Sequence, residues 1–266
     1  VTGGAIGVSW ARMSIAAIVL LIVSAHRGKL RFIDLRSERN LVVAGALLAL
    51  HFATWIASLQ HASVAISTLL VCTTPVWTEA YAVIRRRRVD PYAALSIAGA
   101  LAGVAIVVGA PDRANTPLGI VLAIAGAIAI AAYLILVRGV DARYDTLAIT
   151  TRTYAYAAFA LGIAMSWSGA AGALPSDWRG WAGVLAMALI SQLFGHTLLN
   201  AAVRVLSATL VSTFTLLEPV IAGVLAAWIF HERLGATTAI GALVILASIG
   251  VALRGEQRAE SAAVVP

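Results

Sequence analysis

The sequence predicts an all-α integral membrane protein whose two halves repeat each other in opposite membrane senses. Three observations predict it. Of the 266 residues, 61% are hydrophobic and only 12% charged. An ordinary soluble domain carries about 25% charged residues, so this chain lacks the polar material to coat a water-facing surface. The apolar residues also come in long, near-continuous runs, which excludes a transmembrane barrel with its alternation at about every second residue. Finally, residues of the first half recur in order in the second.

A helix needs about 20 mainly apolar residues to cross a bilayer. Nine runs meet this length, at 5–24, 40–60, 62–84, 91–110, 116–138, 145–168, 178–200, 206–230 and 234–254. The opening "VTGGAIGVSW" is too short to hold a complete span ahead of the first run. We therefore expect a truncated or misplaced start, with one helix missing and no cleavable leader. "QHAS" at 60–63 and "HERLG" at 231–235 are short enough to make their flanking helices antiparallel hairpins.

Loop charge sets the orientation. One set of alternate loops holds 14 of the 19 basic residues, from Arg27, Lys29 and Arg31 through the 85–88 arginine run to Arg254 and Arg258. The other set holds 3, namely Arg113, Arg179 and Arg233, while Arg12 and Arg152 fall inside spans. The positive-inside rule then places the basic loops and the C-terminus in the cytoplasm, in the cytoplasmic (inner) membrane. Topology thus accounts for the net charge of +7. No basic segment interleaved with aromatics points to nucleic acid. Cys72 is the only cysteine, so neither an intrachain disulfide nor a cysteine metal site is expected.

The repeat reads as Ala57/Ala201, Ser63/Ser207, Pro75/Pro219, Val76/Val220 and Ala82/Ala226. It continues as Ala100/Ala247, Gly103/Gly250, Val104/Val251 and Ala105/Ala252, and Arg12/Arg152 stands at its head. The second copy starts five helices after the first, an odd number, so the copies cross the membrane in opposite senses.

On "LHFATWIASLQHASVAISTLLVCTTPVW", "LNAAVRVLSATLVSTFTLLEPVIAGVLAAWIFHERL" and "GALVILASIGVAL", the chain resembles the EamA family of the drug/metabolite transporter (DMT) superfamily. The resemblance implies two five-helix inverted repeats, ten spans in all, that export small metabolites. On that pattern 1–115 is a first repeat lacking its first helix, 116–254 the inverted second repeat and 255–266 a cytoplasmic tail.

Candidate site residues follow from polarity inside spans, where polar side chains face the bundle interior and mark pathways. Gln192, His196 and Asn200 recur at helical spacing and form one polar line; His51 and Trp55 form a shorter pair. Tyr133 and Trp77 are candidate aromatic walls. These seven are the expected substrate-binding residues, the alternative for each polar one being a hydrogen bond between packed helices. Pro219 interrupts a helix beside Glu218, and Pro75 does so one turn before Glu79. These four are the expected coupling or gating residues. Glu218 caps the kinked backbone, pairs with a basic group or exchanges protons. Arg12 and Arg152 are expected to snorkel or to pair with an acid, and the spacing Gly99/Gly103 to support close helix packing.

No GxxxxGK[ST] phosphate loop, HExxH or GxSxG occurs, so neither ATP, a cofactor, a metal nor a catalytic residue is expected. The expected partners are a small-molecule substrate and the lipid bilayer, with proton coupling through Glu218 left open and the chain acting as a monomer or homodimer. Within carriers the alternatives are sugar-nucleotide and drug transport; a channel and an intramembrane enzyme are the readings from other classes. The topology has a direct test. In a Cys72→Ser background, a cysteine at position 235 should react with an impermeant maleimide from outside intact cells and one at position 88 should not. The reverse pattern overturns the charge assignment.

Overall fold

The computed structural model describes residues 3–30, 32–62, 64–86, 89–108, 116–218, 221 and 236–264. Its elements are helices: α1 (Ala5–His26), α2 (Leu35–Ser58), α3 (Val64–Val71), α4 (Thr74–Arg86), α5 (Pro91–Val108), α6 (Pro117–Arg138) and α7 (Thr146–Ser166). Then come α8 (Trp178–Ala186), a π-helical segment (Met187–His196), α9 (Thr197–Val205), α10 (Ala208–Phe214), a 3-10 turn (Thr215–Leu217) and α11 (Ala236–Val264). No strand occurs among the described residues. Four helical runs among them are long and apolar enough to cross a membrane: Ala5–His26, Leu35–Ser58, Pro117–Arg138 and Trp178–Val205.

Helix limits depart from the apolar runs where a cap or a proline intervenes. α2 starts ahead of its run because Asp34 caps it, its Oδ1 accepting from the amides of Arg36 and Ser37 at 3.1 and 3.0 Å. α11 continues past residue 254 through charged residues to Val264. The run 62–84 is not one helix. It breaks at Cys72–Thr73, and Pro75 sits in the first turn of α4, where its missing N–H leaves no bond unmade. The second repeat tightens at the matching place, the 3-10 turn Thr215–Leu217, just ahead of Glu218. Pro219 itself lies outside the described residues.

The chain divides into two compact units, each taking helices from both halves of the sequence. One comprises Val1–Ser58 and Ile128–Val205; the other comprises Leu59–Ala127 and Leu206–Pro266.

In the first unit α1 and α7, a pair matched by the repeat, run antiparallel. Beyond the C-terminal end of α1, Lys29 Nζ meets Asp145 Oδ2 at 2.8 Å, at the start of α7. About one turn further in from that end, Ser24 and Thr151 share a hydrogen bond of 2.7 Å. Ahead of α1, the Gly4 amide donates to Ala173 O, beyond the end of α7, at 2.8 Å. α2 packs on α7 through Gly45, where a Cβ would stand 2.5 Å from Tyr156 Cβ and 2.9 Å from Thr153 O.

In the second unit the matched pair α5 and α11 is again antiparallel. Gly99 faces Ser248, Gly103 faces Ile245 and Gly241 O, and Tyr92 at the start of α5 touches Gly255 near the end of α11. Cys72, Ala100, Val104, Leu216, Ile245 and Ile249 form its core. Cys72 and Leu216 stand at equivalent repeat positions beside the two helix interruptions. α4 and α10 meet through Thr78 and Ser212, whose hydroxyls lie 3.1 Å apart. The fold is an all-α membrane protein with inverted repeats.

Close helix approach at Gly45 yields a testable consequence. Gly45→Val forces overpacking that costs about 1–3 kcal/mol and should lower the melting temperature of the detergent-purified protein. Gly250→Ala, where nothing lies within 4 Å of the new methyl, should leave it unchanged or raise stability by up to about 1 kcal/mol.

Candidate functional site

The first unit holds a buried polar and aromatic cluster in the middle of its helices. It is built on the π segment, whose wider turns leave backbone carbonyls for other partners. The Gln192 carbonyl accepts from the Tyr154 hydroxyl at 3.1 Å and from Thr197 Oγ1 at 3.5 Å. A run expected as regular helix therefore changes phase between Met187 and His196. The sequence offers no proline to announce it; the polar line and Gly195 are its nearest traces.

Six of the seven expected substrate-binding residues lie in this unit. Gln192 and Asn200 are fully buried. Gln192 Oε1 accepts from Arg12 Nη2 at 3.0 Å, and the same nitrogen donates to Ser191 Oγ at 3.2 Å. Asn200 Oδ1 accepts from the Tyr133 hydroxyl at 2.5 Å, and its Nδ2 donates to Thr150 Oγ1 at 3.3 Å. His51 is buried and stacks on Trp55 with ring centroids 5.7 Å apart. His196 is half-buried, 6.4 Å from His51 and 5.2 Å edge-on from Phe52. Trp55 Nε1, Gln192 Nε2 and His196 Nδ1 are buried atoms without a hydrogen-bond partner.

Arg12 corrects an expectation. It does not snorkel from a helix end: it is 1% exposed within α1, and its guanidinium carbon lies 4.2 Å above the Phe52 ring. Its repeat partner Arg152 does pair with an acid, Glu38, at 3.3 Å. Tyr154 and Phe52, both fully buried, complete the cluster. Phe52 carries no polar atom that would single it out in an apolar sequence.

The remaining expected residues lie in the second unit. Trp77 Nε1 donates to Thr73 Oγ1 at 3.2 Å across the interruption before Pro75. Glu79 is buried and accepts from Thr209 Oγ1 at 3.3 Å. With Asp90, Ser207 and Thr213 it lines a cavity of about 40 Å³. Glu218 is exposed at the end of the 3-10 turn.

Two loops that the charge count puts on one side of the membrane meet in the first unit. Tyr144 OH donates to Asp34 Oδ2 at 2.7 Å, and Arg143 approaches the same oxygen at 3.4 Å. The Tyr144 and Ser37 hydrogen bonds hold the Asp34 carboxyl well below the usual carboxylate range. Beside them, Arg204 donates to the carbonyls of Asp141 and Tyr144 at 2.9 and 3.3 Å. These contacts fix the end of α9 and, with it, the height of Asn200.

The Tyr133–Asn200 bond is measurable. Tyr133→Phe should cost about 1 kcal/mol, within the range of hydrogen bonds between membrane helices. Adding Asn200→Leu should cost less than the sum of the two single changes, because the stranded amide is removed with its partner. Melting curves of the three variants decide it.

A crystal structure of another protein superposes with a TM-score of 0.76 at 19% identity, covering 96% of this chain and 89% of that one; the likeness is one of fold. No curated protein matches. The family model for EamA-like transporters matches residues 3–109 and again 117–254. Its two matches fall on the two halves whose paired helices α1/α7 and α5/α11 run antiparallel. The chain belongs to the EamA-like transporter family.

Proposed function

We propose that the chain is a secondary active transporter that exports small organic metabolites across the cytoplasmic membrane by alternating access, with its C-terminus in the cytoplasm. Amino acids with aromatic or large neutral side chains are the favoured substrates. The observation that carries this reading is the cluster around the π segment: fully buried Gln192, Asn200 and Arg12 beside His51, Trp55 and Phe52. A few polar groups set among aromatic walls is the usual make-up of a small-molecule site. His51, Trp55, Tyr133, Gln192, His196 and Asn200 are the substrate-binding residues of the first unit, and Trp77 is a further aromatic candidate in the second. The helix interruptions near Pro75 and ahead of Pro219 serve as points of bending, as discontinuous helices do in transporters. Glu79 and Glu218 are the coupling or gating acids.

Family membership supports a membrane transporter and leaves the cargo to be found by assay. Proteoliposomes loaded with unlabelled L-tryptophan should take up labelled L-tryptophan by saturable counterflow, and other large neutral amino acids should compete. Linear, uncompeted flux would indicate a channel. Competition by sugar nucleotides alone would favour that branch of the superfamily. Glu218→Gln keeps the shape and loses the charge. If Glu218 carries the coupling proton, the variant loses the pH dependence of net transport while counterflow persists. Unchanged pH dependence leaves Glu218 a structural role at the bend.

A further inference from the structure

We infer that the cavity at the charged end of the first unit, lined by Arg27, Lys29 and Arg143, is a site for the phosphodiester headgroup of an anionic phospholipid. It lies apart from the buried cluster and does not depend on the cargo. Helix length sets its depth. α1 has 22 residues, which at about 1.5 Å each just cross a hydrocarbon layer of about 30 Å. The residues that follow His26 therefore stand at the level of lipid headgroups. Gly28 turns the chain there with a φ of 61°, and Ile33, 3% exposed, fastens the loop to the unit. α7 begins at the same end, where Asp145 caps it by accepting from the Leu147 amide at 2.8 Å. Residues 27–33 and 142–148 enclose between them a cavity of about 420 Å³, within the range of about 300–1,000 Å³ usual for small-molecule sites.

Charge selects the occupant. The carboxylates of the two loops already have cations: Asp145 meets Lys29 at 2.8 Å, and Asp34 and Asp141 meet Arg143 at 3.4 and 3.3 Å. Arg27 lines the cavity with no ion pair or side-chain hydrogen bond among the described residues. One cation without a partner, flanked by two whose charge is shared, matches the single negative charge of a phosphodiester. A phosphomonoester, with nearly two charges, calls for more. The second observation is apolar. Leu30 and Phe32, sequence neighbours of the cavity-lining Lys29 and Ile33, are 46% and 90% exposed, and Leu35 at the start of α2 is 84% exposed. At headgroup depth such side chains enter the boundary with the acyl chains. A free phosphate has no use for that surface, whereas a phospholipid uses both parts, its phosphate at Arg27 and its chains against Leu30, Phe32 and Leu35. Basic pockets at the cytoplasmic ends of membrane helices bind anionic headgroups in this way.

The test uses the full chain purified in detergent and washed free of native lipid, and reads its melting temperature as a probe is titrated in. The probes are dioleoyl-phosphatidylglycerol, dioleoyl-phosphatidylcholine with the same chains, and inorganic phosphate. Phosphatidylglycerol should protect at concentrations where the other two do not. Arg27→Gln should raise the concentration needed for half protection about fivefold or more. Arg27 is exposed and unpaired, so this variant keeps its fold. Phe32→Ser, at a side chain equally free of packing, should weaken the response as well. Arg36→Gln removes an exposed cation of the same end that does not line the cavity, and should leave the response within about twofold. Equal loss in Arg27→Gln and Arg36→Gln overturns the site in favour of diffuse attraction to a charged face. Equal protection by the two lipids overturns the headgroup assignment, and equal protection by phosphate overturns the lipid. None of these outcomes touches the transporter reading, which counterflow tests separately.

Discussion

In lipid there is no hydrophobic force between helices, so association depends on how closely two backbones can approach. That constraint governs this structure. At Gly99 and Gly103 the faces of α5 and α11 come so near that an added Cβ would stand 2.5 Å from Ser248 Oγ and 2.7 Å from Ile245. Gly45 does the same for α2 against α7. Because α5 and α11 are equivalent in the repeat and antiparallel in space, one duplicated helix has become its own packing partner. The same holds for α1 and α7, whose ends are tied by Lys29–Asp145 on one side and Gly4–Ala173 on the other.

Once the backbones are close, the polar groups between them have nowhere else to go. α7 brings Thr150, Thr151, Thr153 and Tyr154 into the protein, all fully buried, and each finds a partner on its own or a neighbouring helix. A charged side chain is far more costly at membrane depth, by about 2.5–3.5 kcal/mol or more. Among its contacts, Arg12 donates to Ser191 and Gln192 and lies against the Phe52 ring.

Much of this was legible in the sequence, for identifiable reasons. Apolar runs report helices because lipid demands them, and the order Pro75/Pro219, Gly103/Gly250 reports the repeat because backbone punctuation has few substitutes. Gln192 and Asn200 stood out as polar residues in an apolar span. Arg12 was visible as a charge, but its depth was not, since depth depends on which neighbours can accept from it. Phe52 was hidden by its ordinariness. The π segment was hidden because its cause, the hydroxyls that share the Gln192 carbonyl, lies partly on α7, far away in the chain.

That segment also changes how the span must be counted. A helical residue advances about 100° around the axis, and the wider turns of Met187–His196 accommodate residues that a regular helix would display at different angles. α8 and α9 are therefore out of phase with each other, and the direction in which Asn200 points is set by what happens between residues 187 and 196. Loss of one residue there would still leave a span of ample length, yet it would swing the whole of α9 about a quarter turn, carrying Asn200 away from Tyr133 and Arg204 away from the carbonyls that hold it. In this stretch the number of residues, as much as their identity, is a property of the site.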